Sequence, residues 1–300
     1  MIRFFKTSTP PPMPRARRRC DLVLLFAVSN GEWLGVEDLL DSFETYLDCD
    51  YQVVAMDDAT SDGTYEKLVE KNIWAARNPE KLGLYGLDVT IRRAFHNAWT
   101  LFDAPVYVKI DPDAMLIGPG LATVLSQAFA PDPNAGIAGT YKIDWNGEPR
   151  DLSFWKQRFK ESGQASFGEP LRMALKNGYE LGDGVQGGCY AIRGECVARM
   201  AELGFLDKWD HPNHVKGLQV AEDSIMTMLT YAAGFTGIDI GGPGQSFGIW
   251  DVGLPMPPEE LVRQNRIVTH AMKYTDEASL AARDYFRERR QAHRRELGKT

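Results

Sequence analysis

YQVVAMDDATSDGT (51–64) and VYVKIDPD (106–113) decide the fold. Each is a short, largely apolar run that stops abruptly at aspartates. Runs of this length, rich in Val, Ile and Tyr and closed by Asp, Ser, Thr or Gly, read as buried strands. Working outward, LVLLFAV (22–28) is a third such strand, and 34–47 reads as an amphipathic helix with Leu34, Leu39, Leu40 and Phe43 on its inner side. A helix is expected to begin near Gly63, with a short strand at 72–76 and a further helix over 87–101. Strands alternating with helices of roughly 10–15 residues predict an α/β fold, a mostly parallel central sheet flanked by helices. In such sheets ligands bind beyond the carboxyl ends of the strands, which places Asp57, Asp58, Asp111 and Asp113 around one crevice.

Beyond residue 130 the pattern loosens. Helices are expected near 151–160 and 169–177, a strand over 187–194, and helices over 195–203 and 220–233, the last opened by Glu222 and Asp223. The sequence GFTGIDIGG reads as a strand and turn, followed by a Gly- and Pro-rich loop to about 258. The end, 275–296, is a charged helix with few apolar positions and reads as a solvated surface helix. The organisation is a basic, Pro-rich disordered lead-in (1–20), one domain (21–273, with halves 21–130 and 131–273), and a charged C-terminal helix (274–300).

The net charge of −7, with 44% apolar and 25% charged residues, fits a globular protein and argues against nucleic-acid binding. The four cysteines show no CxxC or zinc-ligand spacing and read as reduced thiols, which predicts a cytoplasmic setting. Arg15–Arg19 followed by LVLLFAV imitates a signal peptide. The apolar run is only seven residues, however, and Asn30, Gly31 and Glu32 follow it without a small-residue cleavage pattern. No transmembrane segment is expected, because no stretch approaches the ~20 apolar residues of a span. The basic arm is suited to peripheral contact with an anionic membrane, though a solvated tail is the preferred reading.

Three acidic segments carry chemistry. Asp57–Thr64 is a polar turn whose carboxylates can accept hydrogen bonds from a base or ribose, or can serve as turn and helix caps. Asp111 and Asp113, two carboxylates in one short turn, suit a hard divalent cation bridging to phosphate oxygens. Glu222 and Asp223 open a helix, where the dipole favours acids, and Asp223 can take the proton of an acceptor hydroxyl.

In order, DDATSDGT, DPD and Ala221-Glu222-Asp223 resemble the family 2 inverting glycosyltransferases of GT-A fold, over roughly residues 21–235. The resemblance implies transfer of one sugar from a nucleotide-diphosphate sugar, by family frequency a UDP-sugar, to a glycan or other hydroxyl acceptor, with Mn2+ or Mg2+. It implies that Asp58 contacts the nucleotide base and Asp57 supports the turn. Asp113 would be the direct metal ligand, with Asp111 nearer the ribose or a metal-bound water, and Asp223 would be the catalytic base. Val28, Ser29 and Asn30 would face the base, while Gly187, Gly188 and Glu222 would lie on the acceptor side. His270 is implied as a further metal ligand and Lys273 as a contact to the diphosphate.

The family's processive synthases carry a Gln-x-x-Arg-Trp motif. Here the nearest string is Gln245-Ser246-Phe247-Gly248-Ile249-Trp250, so non-processive transfer is expected. Three rivals fare worse. SDGT resembles a dehalogenase-type phosphatase motif, but Thr60 stands where the nucleophilic aspartate would be. A sugar nucleotidyltransferase needs a Gly-rich, Arg-containing loop where this chain has AVSNGEWLG (27–35). A non-catalytic GT-A-like binding module has no need of the full carboxylate set. Arg92 and Arg93 read as a surface helix face, with phosphate contact as the alternative, and His211 and His214 as a polar loop that could serve as an acceptor lid.

Overall fold

The computed structural model describes residues 16–161, 164–209 and 220–298; the lead-in before residue 16 and both His211 and His214 lie outside the described residues. Along the chain run β1 (Arg18–Arg19), β2 (Leu22–Val28), α1 (Trp33–Tyr46), β3 (Tyr51–Asp57), α2 (Thr64–Glu70), β4 (Trp74–Arg77) and α3 (Leu87–Leu101). There follow β5 (Phe102–Asp103), β6 (Val106–Ile110), β7 (Met115–Leu116), α4 (Leu121–Phe129), β8 (Ala135–Gly139), α5 (Ser153–Glu161) and α6 (Gln164–Lys176). Last come β9 (Cys189–Arg193), α7 (Gly194–Glu202), α8 (Glu222–Ala232), β10 (Thr236–Asp239), β11 (Phe247–Ile249), α9 (Pro258–Arg263), β12 (Val268–His270) and α10 (Glu277–Glu296).

The central sheet has seven strands in the order β10-β8-β9-β6-β2-β3-β4. Its pairs are parallel except those made by β9, which runs against both β6 and β8. The mostly parallel α/β sheet expected from the strand–helix alternation is therefore observed. One apolar layer packs α3, α6, α7 and α8 on one face of the sheet, and a second packs α1 and α4 on the other. No helix among the described residues is long and apolar enough to cross a membrane.

Two features of the topology place the site. Because β9 is reversed, its start lies beside the end of β6, with Cys189 paired to Ile110. That brings Gly187 and Gly188 next to the Asp111–Asp113 turn. A small second sheet, β11-β12-β7, pairs Thr269 with Met115 and so carries His270 to the same turn.

Two expectations are corrected. Leu34 is 54% exposed, not inward-facing. It lies nine residues from Phe43, about two and a half helical turns, and so on the opposite side of α1. The C-terminal helix is not simply solvated. Arg283, Arg287, Arg290 and Arg294, spaced to share one face of α10, pair with Asp38 and Asp41 of α1, and Ala282 and Phe286 are buried beneath them.

Candidate active site

The first acidic turn is closed by its own neighbours. Asp57, fully buried, takes Arg77 Nε at 2.6 Å on Oδ2 and the Thr60 hydroxyl at 2.6 Å on Oδ1. Asp58 accepts from Asn78 Nδ2 and Leu82 N, each at 2.9 Å, on Oδ1 and from Gly83 N at 2.8 Å on Oδ2. Its carboxylate therefore holds the 78–83 loop, with acceptor capacity left chiefly on Oδ2. Ser29, at the end of β2, donates its N–H to Glu32 Oε2 at 2.6 Å.

The second turn is open. Asp111 Oδ2 accepts from Gly188 N at 3.1 Å, and its Oδ1 meets Lys109 Nζ at 2.8 Å. Asp113 Oδ1 lies 3.2 Å from His270 Nε2. The other ring nitrogen, Nδ1, is 2.7 Å from the Trp250 carbonyl, to which it donates in the tautomer that this contact favours. That leaves Nε2 directed at the turn. Among the described residues, Asp111, Asp113 and His270 form the group whose ligand atoms all lie within 4.8 Å of one another. Two carboxylates and an oriented imidazole fit a divalent cation with mixed oxygen and nitrogen ligands. Gly188 makes the approach of the ring possible: its φ is +81°, and a Cβ there would stand 2.5 Å from His270 Cγ. Similarly, a Cβ at Gly35 would meet the Pro112 carbonyl oxygen at 2.5 Å, so only glycine lets α1 lie against the turn.

Lys109 joins this turn to the third acidic segment. Buried to 1% exposure, its ammonium also contacts Glu222 Oε1 at 2.6 Å. Lys109, in β6, and Asp111, just beyond its end, are two residues apart and meet on one side, where Glu222 of α8 also reaches Lys109. Burial alone would lower the lysine pKa, but the two carboxylates hold it well above the usual value, and Lys109 is a fixed cation. Glu222 is the softer partner. Burial, with the charges of Asp223 and Asp111 added against the ammonium, pushes it up to about 8. Its Oε2 is buried without a hydrogen-bond partner. Asp223 is raised by burial and held back by Arg150 and Lys109. A Cβ on Gly187 would lie 3.3 Å from Asp223 Oδ2, so the glycine leaves room above the carboxylate.

His270 and Asp113 shift in opposite senses. Burial would lower the imidazole, but its hydrogen bond to Asp113 and the acidic charges raise it. Burial would raise Asp113, but His270, Lys273 and Lys109 lower it. Lys273 thus acts on Asp113 through charge, as a residue on the rim. Arg92 is corrected to an interior role: it is buried, with Nη1 donating to the Phe205 and Trp209 carbonyls at 3.0 Å, while Arg93 Nη1 donates to Asn78 Oδ1 at 2.7 Å.

Lys109, Arg150, Gly35 and the Trp250 carbonyl were not evident from sequence reading. For Lys109 the signal was present, a single cation inside an otherwise apolar strand. A cavity of about 800 Å3 lies elsewhere, lined by Arg17, Arg19, Asp103 and Arg193 among others. No site carboxylate borders it, and Arg17 and Arg19 face Asp103.

No family model matches the chain, and no curated protein sequence is significantly similar to it. Among solved structures, a mannosyltransferase from Pyrobaculum calidifontis, in complex with GDP-Man and Mn2+, is similar at 16% identity and a TM-score of 0.42, over 77% of this chain and 58% of that one. TarS of S. aureus (residues 1–349, in complex with UDP) is similar at 16% identity and a TM-score of 0.46, over 74% of this chain and 58% of that one. A further TarS structure is matched over 35% of its length, so this chain spans less than two thirds of each of these neighbours. Likeness at this level leaves those ligands with those proteins, and the residues of the site carry the functional reading.

Proposed function

We propose that the chain is a metal-dependent, inverting glycosyltransferase of GT-A type that moves one sugar from a nucleotide-diphosphate sugar, most simply a UDP-sugar, to a hydroxyl acceptor. The observation that carries this reading is the convergence of Asp111, Asp113 and His270 beside Glu222 and Asp223, bridged by Lys109. When bound, Mn2+ or Mg2+ would supply Lewis-acid stabilisation of a diphosphate leaving group. Asp113 and His270 would hold the cation, with Asp111 restrained by Gly188 N–H and Lys109. An imidazole in the set favours Mn2+ over Mg2+.

The chain's own groups divide the remaining work. Asp223 removes the acceptor proton as the oxygen attacks the anomeric carbon. Burial brings its pKa towards the working pH while Arg150 and Lys109 keep it ionised, the balance a general base needs. Lys273 faces the diphosphate, and Ser29 and the free capacity of Asp58 face the base. Gly187 and residues of the 131–273 half line the acceptor side, with Glu222 orienting. The four free thiols suit a reducing, cytoplasmic compartment.

A thermal-shift panel of nucleotide sugars, each with and without Mn2+, tests the reading. One donor should stabilise the protein only when the metal is present. Equal stabilisation without metal, or none by any donor, would refute it.

A further inference from the structure

β12 ends at His270, and the segment that leaves it, carrying Lys273, is gripped from two sides. Met272 N donates to the Asp113 carbonyl at 2.8 Å. The Met272 carbonyl in turn accepts from Arg283 of α10, through Nε at 2.9 Å and through Nη2. Arg283 Nη1 reaches Asp38 Oδ2 of α1 at 3.1 Å, and the guanidinium lies 4.1 Å from the centroid of the Tyr274 ring. The Tyr274 hydroxyl donates to the Leu34 carbonyl at 2.8 Å and also contacts Asp38. Arg283 is 1% exposed. One planar fork therefore ties three pieces of the chain together, and lysine lacks the geometry to do so. The helix it ties to, α1, is the one that lies against Pro112 through Gly35.

We propose that Arg283 is a positioning residue for the cation site, fixing the His270–Lys273 arm against the Asp111–Asp113 turn. The proposal rests on the metal-site reading above. Charge and position make opposite demands here. By charge alone, removing an arginine near a cation site strengthens cation binding; by position, it weakens it. The remainder of α10 keeps its own anchor, because Arg290 and Arg294 also pair with Asp41, which Arg283 does not touch. The effect of a substitution is therefore local.

The test is the affinity of the full chain for Mn2+ alone, from the free-ion electron paramagnetic resonance signal, recorded below the melting temperature of each variant. Arg283→Met should bind Mn2+ about ten- to a hundredfold more weakly than wild type, as for lost supporting contacts at metal sites, and Arg283→Lys should fall between the two. A merely structural arginine would lower the melting temperature and leave the affinity of the folded protein unchanged. If His270→Ala loses affinity while both Arg283 variants match wild type or bind more tightly, the inference is wrong and the metal site stands. If wild type fails to bind Mn2+, or His270→Ala binds as wild type does, the site reading itself falls and takes the inference with it. Should Arg283→Met not fold, Arg283→Lys, which keeps charge and bulk, decides the matter.

Discussion

The two acidic turns look alike in the sequence and do opposite things in the fold. Asp57 and Asp58 end β3, and their oxygens are met by Arg77, Thr60, Asn78 and the backbone of 82–83. Asp111 and Asp113 follow β6, and among the described residues their carboxylates are met directly by Gly188, Lys109 and His270, so both stay partly exposed. Asp57 is sealed and holds the chain in place, Asp58 keeps spare acceptor capacity chiefly on Oδ2, and the second turn keeps enough unused lone pairs to take a cation. What separates them is the supply of donors brought by the neighbouring elements, since the side chains are the same.

The widest separation should appear in activity at the open set. Asp223→Asn should cut transfer roughly 10²–10⁴-fold, the usual contribution of a general base, while leaving metal-dependent donor binding intact in a thermal-shift assay. Near-normal turnover would remove Asp223 from the role of base. Next comes the contrast between the turns themselves. Asp113→Ala should abolish the Mn2+-dependent shift at a smaller cost in metal-free stability, because it removes a partly exposed carboxylate paired with His270. Asp57→Asn should do the reverse, retaining the Mn2+ response and costing about 2–3 kcal/mol in denaturant unfolding. That is below the ~3–5 kcal/mol for breaking a fully buried pair, because Arg77 is one-third exposed and can turn to water. Equal responses from the two variants would erase the distinction.

The smallest effect is a slope in pH. Glu222 is raised from 4.5 to about 8 in the folded protein, so between those values the folded state holds a proton that the unfolded state has lost. Its contribution is complete below about 4.5 and is lost as the pH rises towards 8, at no more than about 1.4 kcal/mol per pH unit. The raised His270 acts in the same direction. Melting of the metal-free protein across this range should show the decline, and Glu222→Gln should flatten it. An unchanged slope in that variant would assign the decline to other groups.

Much of the first half was legible because its signals are local. The strands expected at 22–28, 51–56 and 106–110 and the helix at 87–101 appear, the second strand running one residue further to Asp57, since apolar runs and their terminators act over a few residues. The second half was read less completely. Helix α4 and the short strands β8, β11 and β12 carry weak signals, and β12 is only three residues long. Arg283 and Arg290 read as solvent-facing because an isolated arginine gives no sign of the carboxylate it will meet some 245 to 252 residues away.

By itself, then, the sequence determined the alternation of strand and helix, the acids at strand ends and the acids opening α8. All of these follow from short-range periodicity and capping. Only the tertiary structure decided which acids remain open, that Lys109 bridges two of the three segments, and that the His270 ring comes to 3.2 Å from Asp113. Those outcomes depend on the reversed β9 and on the pairing of β12 with β7, contacts between residues far apart in the chain. Registers of that kind are set by the packing of the whole molecule, and no window of neighbouring residues encodes them.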